Sequence, residues 1–432
     1  MIFNKKSLCF LLLLAAACSK PQRNIDPVPT PQQIEWQQLE TYAFIHFGLN
    51  TFNDMEWGYG DTPATTFNPT ALDCEQWVLT LKACGMKGVI FTAKHHDGFC
   101  LWPTETTDYS IKNSPYKDGN GDVVGELCEA CRKHGLKFGL YLSPWDRHQA
   151  SYGTSEYVKL YHRQIQELTD HYGPFFEFWF DGANGGDGWY GGAKETRSID
   201  ANTYYDYAKA RDIIWARYPD AIIFGGTVPS VRWIGNERGY AAPTLWCTEG
   251  DAWLPAEVDV SIRPGWFYHD NEAPKSLEEL LDIYYNSVGH NANLLLNFPV
   301  NKEGRIPSAD SLRAVEWYQT LQGSFAEDLL NDCVATTDDG NANHQEMIFT
   351  FDHPTTLGCL VLQEDIQFGQ RVERFTVSRY RNGKWLPLDT DEVMTTIGYK
   401  RILRFKPAEM EKLRIRIIKA KGKAYFKKIS GY

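Results

Sequence analysis

No long basic run occurs anywhere in the 432 residues, and the formal charge is −11. Nucleic acid and anionic membrane surfaces are therefore poor partners for this chain. Long apolar runs are equally scarce. The only one, residues 8–14, is far shorter than the roughly 20 residues a bilayer-spanning helix needs. Paired metal-ligand spacings are missing too. There is no His-x-His, and no second Cys or His pair follows Cys128 and Cys131. The Gly-x-Ser-x-Gly elbow of a serine hydrolase is absent, as are internal repeats and low-complexity tracts. These gaps argue against a metal centre, a nucleophilic serine or cysteine and a repeat architecture, and no cofactor is expected.

The first residues carry an export signal. Lys5 and Lys6 precede the apolar residues 8–14, and Ala15-Ala16-Ala17-Cys18 precedes a polar stretch. Small residues directly before a Cys resemble a bacterial lipobox, so Cys18 is the expected lipidation site. Residues 1–18 then form a lipoprotein signal peptide, and the Pro- and Gln-rich residues 19–34 a tether. The expected location is periplasmic or at the cell surface, with a lipid anchor in the membrane. Eight cysteines follow Cys18, scattered through apolar segments in a way that does not resemble a disulfide framework.

Aromatic residues make up 14% of the chain. Most serve a core, but such rings also stack on the C–H faces of sugars. Short apolar strands are expected near residues 42–48, 89–93, 137–142, 175–180, 221–225, 243–247, 259–267 and 293–297, most of them separated by a helix. Helical spacing marks residues 73–84, 123–134, 156–172, 203–218 and 276–290, the last capped by Ser276. Alternating strands and helices predict an α/β fold, a (β/α)₈ TIM-like barrel over residues 35–325. From residue 326 to 432 the pattern changes to period-2 segments parted by turns such as Arg381-Asn382-Gly383, which predicts a C-terminal antiparallel β-sandwich.

Strand ends converge on one mouth of such a barrel. The residues just past them are His46, then Glu56 and Trp57, then His95, His96 and Asp97, then Trp145, Asp146, Arg147 and His148, then Asp181. Arg232, Trp233, Glu237 and Arg238 follow the fifth expected strand, Glu249 and Asp251 the sixth, and Trp266, Tyr268 and His269 the seventh. Adjacent histidines on a strand point to opposite faces, so His95 and His96 make an awkward pair of ligands for one ion. Carboxyl groups on different strands, with aromatics and imidazoles around them, suit glycoside hydrolysis. One carboxylate attacks the anomeric carbon and another protonates the leaving oxygen.

Several motifs together resemble family 29 α-L-fucosidases: Phe44-Ile-His-Phe-Gly48, Glu56-Trp-Gly58, Ala93-Lys-His-His-Asp-Gly-Phe99, Leu140-Tyr-Leu-Ser-Pro-Trp145, Trp179-Phe-Asp-Gly182 and Asn293-Leu-Leu-Leu-Asn-Phe-Pro299. Gly369-Gln-Arg-Val and Thr396-Ile-Gly-Tyr-Lys-Arg401 are similar to the family's C-terminal sandwich. The resemblance implies a retaining double displacement with Asp181 as nucleophile. Val231-Arg-Trp-Ile-Gly-Asn-Glu237 resembles the subgroup that cleaves branched α-1,3 and α-1,4 linkages, which implies Glu237 as acid/base. Glu249 and Glu56 remain alternatives. The implied substrate-binding set is His46, Glu56, Trp57, His95, His96, Tyr141, Trp145, Trp233 and Arg263. Fucosylated oligosaccharides or glycoconjugates are the expected partners. A retaining glycosidase for another sugar and a non-catalytic glycan-binding lipoprotein are the competing readings.

Overall fold

The computed structural model describes residues 27–338, 340 and 344–432, so Cys18 and the rest of the expected signal peptide, residues 1–18, lie outside the described residues. The first element is α1, Pro31–Gln37, which begins within residues 19–34, expected as a tether, and runs past their end. Thr30 caps it reciprocally with Gln33, and Pro31 sits at its first turn, where a missing N–H costs nothing.

Eight strands then form one sheet: β1 Thr41–Ile45, β2 Gly88–Lys94, β3 Lys137–Leu142, β4 Phe175–Trp179, β5 Ile222–Phe224, β6 Arg232–Trp233, β7 Ala256–Ser261 and β8 Ala292–Asn297. Their order is β5-β4-β3-β2-β1-β8-β7-β6 and every pairing is parallel. A parallel bridge between Phe224 and Val231 brings the two edges together, so the sheet is a nearly closed barrel. The connecting helices are α2 Cys74–Ala83, α3 Val123–His134, α4 Ser155–His171, α5 Tyr207–Arg217, α6 Leu277–Ser287 and α7 Ser308–Ser324. Asp73, Asp122, Asp206 and Ser276 cap four of them through their side chains.

Period-2 alternation sorts the strand residues between two cores. Ala43, Ile45, Val89, Phe91, Leu140, Phe178, Val258, Leu294 and Leu296 pack outward under the helices. Tyr42, Phe44, Ile90, Tyr141, Trp179, Phe224 and Leu295 fill the barrel interior. Barrel interiors usually hold Val, Ile and Leu. Here aromatic rings dominate, with Trp179 stacked flat on Phe224 at 4.0 Å.

Strands six and seven differ from expectation. The sixth strand is the two-residue β6, paired to Ala256 and Glu257 of β7. It is too short to leave a periodic signal. Within residues 243–247, Leu245 and Cys247 are buried for another reason: Cys247 packs with Trp253, Ile366 and Tyr399 where the barrel meets the C-terminal sheet. β7 ends at Ser261, and the apolar residues beyond it form a strap over the mouth.

The C-terminal part is antiparallel: β9 Val334–Asp338, β10 Glu346–Glu364, β11 Val372–Arg381, β12 Lys384–Pro387, β13 Arg401–Ala420 and β14 Phe426–Gly431. The order is β9-β10-β13-β11-β12, with β14 on β10. Register shifts near residues 350–359 break the ladder of the long β10 and β13. The sheet encloses its own core of Leu357, Leu360, Phe375, Leu403, Leu413 and Ile415. It docks on the barrel through Tyr399, whose N–H donates to Asn291 Oδ1 at 2.7 Å and whose hydroxyl donates to Glu40 at 3.0 Å. Among the described residues all eight cysteines are free, and no helix is long and apolar enough to cross a membrane.

Candidate active site

The mouth holds a cavity of about 450 Å³, within the roughly 300–1,000 Å³ usual for small-molecule sites. Its floor is Phe44, Trp179 and Phe224, each the last residue of its strand or one before it. His46, His95, His96 and Tyr141 line the β1–β3 side, Asp181 stands at the end of β4, and Trp233, Glu237, Asp259 and Trp266 complete the β6–β7 side. Gly225 lets the chain turn here. Its φ is +77°, and a Cβ would lie 2.1 Å from the Phe180 carbonyl oxygen. A second cavity, about 390 Å³, lies at the opposite end, where Trp36, Cys128, Phe138 and Phe175 give an apolar lining.

Asp181 is held by two donors. Ala183 N–H donates to Oδ1 at 2.7 Å, and the Tyr141 hydroxyl donates to Oδ2 at 2.8 Å. Burial and the Asp181 charge hold the Tyr141 phenol well above its usual range, so it remains a donor. His96 Nε2 stands 3.8 Å from Oδ2, too far for a direct hydrogen bond.

The three histidines are buried and neutral near pH 7. Burial pushes His46 down to about 4, and lowers His95 and His96 as well. Their networks assign distinct tautomers. Asn297 spends its amide protons on Ser261 Oγ and the Trp266 carbonyl, so its Oδ1 accepts from His46 Nδ1–H at 2.8 Å. Ser143 donates its one proton to the Trp145 carbonyl, so it accepts from His96 Nδ1–H at 2.7 Å. Asn50 Oδ1 accepts from Gly58 N–H, which leaves its amide to donate to His95 Nδ1 at 3.3 Å. His46 and His96 thus keep an Nε2 lone pair for a ligand, and His95 keeps an Nε2–H. Two acceptors and one donor, all uncharged, suit the hydroxyls of a neutral sugar.

Glu56 reaches the cavity, but its oxygens are already engaged. They accept from Trp266 N–H at 2.9 Å, Phe267 N–H at 3.1 Å and His269 Nε2 at 2.7 Å. Burial opposes the imidazolium of His269, yet hydrogen bonds to Asp54 and Glu56 outweigh it and raise its pKa. Glu56 is therefore the buckle that ties the strap after β7 to the loop after β1. Glu237 is exposed at the rim, and Trp266 Nε1 donates to it at 3.2 Å. Arg232, earlier in the chain on β6, turns away and donates to the Leu254 and Trp246 carbonyls. Trp57 lines the cavity, packed edge-on against His96.

Three expected positions fall elsewhere. Glu249 sits in a two-stranded hairpin, Thr248–Glu249 with Ala252–Trp253, directly before β7 and so at the end of the barrel away from the mouth. Trp145 is 2% exposed beneath His96 and Trp57, its Nε1 donating to Tyr190. It supports the wall rather than forming it. Arg263 points away from the cavity: it is 4% exposed and clamped by Asp310 at 2.8 Å and the Glu272 carbonyl at 2.7 Å. The floor rings and Asp259 were absent from the expected mouth residues, and Trp266 was expected at the mouth but not among the substrate-binding residues. A period-2 reading back from His46, Asp181 and Ser261 would have found Phe44, Trp179 and Asp259. Among the described residues no group of three His, Cys, Asp or Glu side chains could hold a metal ion.

The profile of one family, Alpha-L-fucosidase, matches residues 26–317. Alpha-L-fucosidase 1 of Arabidopsis thaliana is 38% identical over 91% of this chain and 85% of its own length. The crystal structure of a glycoside hydrolase 29 family member from an unknown rumen bacterium is 45% identical, with a TM-score of 0.91 over 94% of this chain and 77% of that one. A family 29 fucosidase of Ruminococcus gnavus, solved in complex with fucose, is 32% identical, with a TM-score of 0.82 over 94% of each chain. Strand-end carboxyls, neutral imidazoles and an aromatic floor thus stand in a chain that belongs to the α-L-fucosidase family, glycoside hydrolase family 29.

Proposed function

We propose that this α-L-fucosidase works by retaining double displacement, with Asp181 as nucleophile and Glu237 as acid/base. The observation that carries the reading is the placement of Asp181: it stands two residues past the end of β4, lines the cavity, and is fixed by Tyr141 and Ala183. Attack by a carboxylate oxygen forms a bond to the anomeric carbon while the glycosidic C–O bond breaks and the leaving oxygen takes the acid's proton. Water then reverses the sequence, with the deprotonated acid as base. The three neutral imidazoles hold the sugar hydroxyls, and Trp57 with the floor rings meets its apolar face.

Of the three candidate acids, Glu237 fits best. Glu249 lies away from the cavity and Glu56 is tied by three donors, whereas Glu237 stands free on one side at the rim. Branched α-1,3/1,4-fucosylated glycans are the proposed substrates. An exported lipoprotein anchored through Cys18 is the proposed location, on the sequence of residues 1–18 alone.

Hydrolysis followed by proton NMR tests the mechanism. Retention requires α-L-fucose as the first product, and β-L-fucose first would refute it. Asp181→Gly should lose turnover and, with azide, give a β-fucosyl azide. Near-normal activity in that variant would refute the assignment. Glu237→Ala and Glu249→Ala, assayed on defined fucosyl oligosaccharides, separate the two acids. Cleavage of 2′-fucosyl substrates with none on Lewis-type trisaccharides would overturn the linkage reading.

A further inference from the structure

Asp259 is a third carboxyl in the cavity. It sits in the row of β7 that faces the barrel interior, between Glu257 and Ser261. Its side chain lines the cavity, yet the residue is only 4% exposed. It accepts the indole N–H of Trp233 at 2.7 Å. Trp233 itself is 48% exposed. A tryptophan half in water has little packing to fix its ring, and its strand, β6, is two residues long. Two contacts do the fixing: backbone pairing to β7 and the bond to a buried oxygen. Burial, then the nearby Glu257 and Glu237, push the Asp259 carboxyl up to about 8. Near neutral pH it keeps its proton and adds no negative charge beside Glu237.

The location identifies the side of the site. The group that protonates the glycosidic oxygen marks where the leaving sugar lies. Glu237 is four residues past Trp233 on the same loop, and Trp266 Nε1 holds it from the strap. An exposed indole beside that carboxyl presents a flat apolar face to the leaving-group side.

We propose that Asp259 is a positioning residue that fixes the Trp233 indole as the stacking platform for the sugar attached to fucose. This rests on Glu237 as the acid/base. The platform would take a pyranose ring through its C–H face, whichever linkage joins it to fucose.

The test is a double-mutant cycle on kcat/KM with Asp259→Ala, Trp233→Phe and the pair. Two substrates are used: the fucosyl oligosaccharide that the wild type cleaves fastest, and α-L-fucosyl fluoride, whose leaving group has no ring. Each single variant should lose about tenfold or more on the oligosaccharide, mainly through KM, and at least about fivefold less on the fluoride. The double variant should be within about threefold of Asp259→Ala, because both changes remove one interaction. Asp259→Asn keeps an acceptor for the indole N–H and should recover most of the oligosaccharide activity. Losses that multiply in the double variant, or that fall equally on both substrates, would overturn the proposal. Should Asp259→Ala fail to fold, Asp259→Asn and Trp233→Phe decide it. An Asn variant as impaired as the Phe variant would refute the positioning role. Glu237→Ala on the fluoride, which needs no proton to leave, reports separately on the acid/base assignment.

Discussion

Single residues in this mouth do their work by being neutral where neutrality is needed. His46, His95 and His96 are kept uncharged by burial, and their Nδ1 partners decide whether each Nε2 gives or takes a hydrogen bond. Tyr141 is kept protonated beside Asp181. Tyr141→Phe removes one of two donors to that carboxylate while keeping the ring that packs against Trp179. A hydrogen bond to a charged group contributes about 1.5–3 kcal/mol, so kcat/KM should fall by about 10- to 100-fold with little change in Tm. Unchanged kcat/KM would show that Tyr141 merely fills space. At this scale the sequence was most legible where chemistry sits at a strand end: His46, His95, His96 and Asp181 each follow an apolar run. Arg263 follows one too, but in space it belongs to Asp310. Nothing local distinguishes a charge that faces the mouth from one folded under a loop.

Elements explain the rest of what sequence could and could not show. The start of α6 was readable from Ser276, because a cap is local chemistry, whereas the helix expected from residue 203 begins only at Tyr207, after its cap Asp206. β6 was not readable, because a two-residue strand exists only through its pairing with β7. The stretch 243–247 mimicked a strand, while its Cys247 is buried against the C-terminal part. The strap after β7 is equally non-local. Its position depends on Glu56, 210 residues earlier in the chain, and on His269 between Asp54 and Glu56. A histidine with a raised pKa contributes stability that is present below its unfolded pKa of about 6.5 and lost as pH rises through the raised value. His269→Ala should lower kcat/KM by about tenfold, since Glu56, which anchors Trp266, loses the imidazole that fixes it, and the hold of Trp266 on Glu237 loosens. His269→Gln, which can still donate one hydrogen bond, should fall between it and the wild type. It should also lack the part of the wild-type alkaline decline that comes from deprotonating this ring. A Gln variant with the wild-type pH profile would contradict the strap's dependence on the imidazolium.

The whole molecule carries an unusual number of buried acids, and their direction sets its response to pH. Burial pushes Asp97 up to about 7, Asp259 up to about 8 and Glu364 up to about 7. Acids with raised pKa values bind protons more tightly in the folded state. Their contribution is full below the unfolded pKa near 4 and lost as pH rises through about 7–8. The depressed histidines act oppositely: their contribution is present above about 6.5 and lost as pH falls. The two sets offset each other at acid pH, and of these two sets only the acids still titrate above neutrality, where the raised His269 adds to their decline. Tm should therefore decline by several degrees between about pH 6.5 and 8.5, and Asp97→Asn should flatten the decline. A flat Tm over that interval would contradict the burial of these groups. The class of architecture was legible at this scale, since eight apolar runs and a switch to period-2 texture announce a barrel followed by a sheet. How the two join was not, because Asn291, Cys247, Gln370 and Tyr399 meet only after folding.

The proposed attack by Asp181 on the anomeric carbon is the step on which the rest of the account depends. Incubation with 2-deoxy-2-fluoro-α-L-fucosyl fluoride, followed by proteolysis and tandem mass spectrometry, reads it directly, because the fluorine slows loss of the fucosyl group from the enzyme. One fluorofucosyl adduct on Asp181 is expected, on the peptide that contains Phe175–Trp179. An adduct on Glu56, Glu237 or Asp259 instead, with Asp181 unmodified, would contradict it.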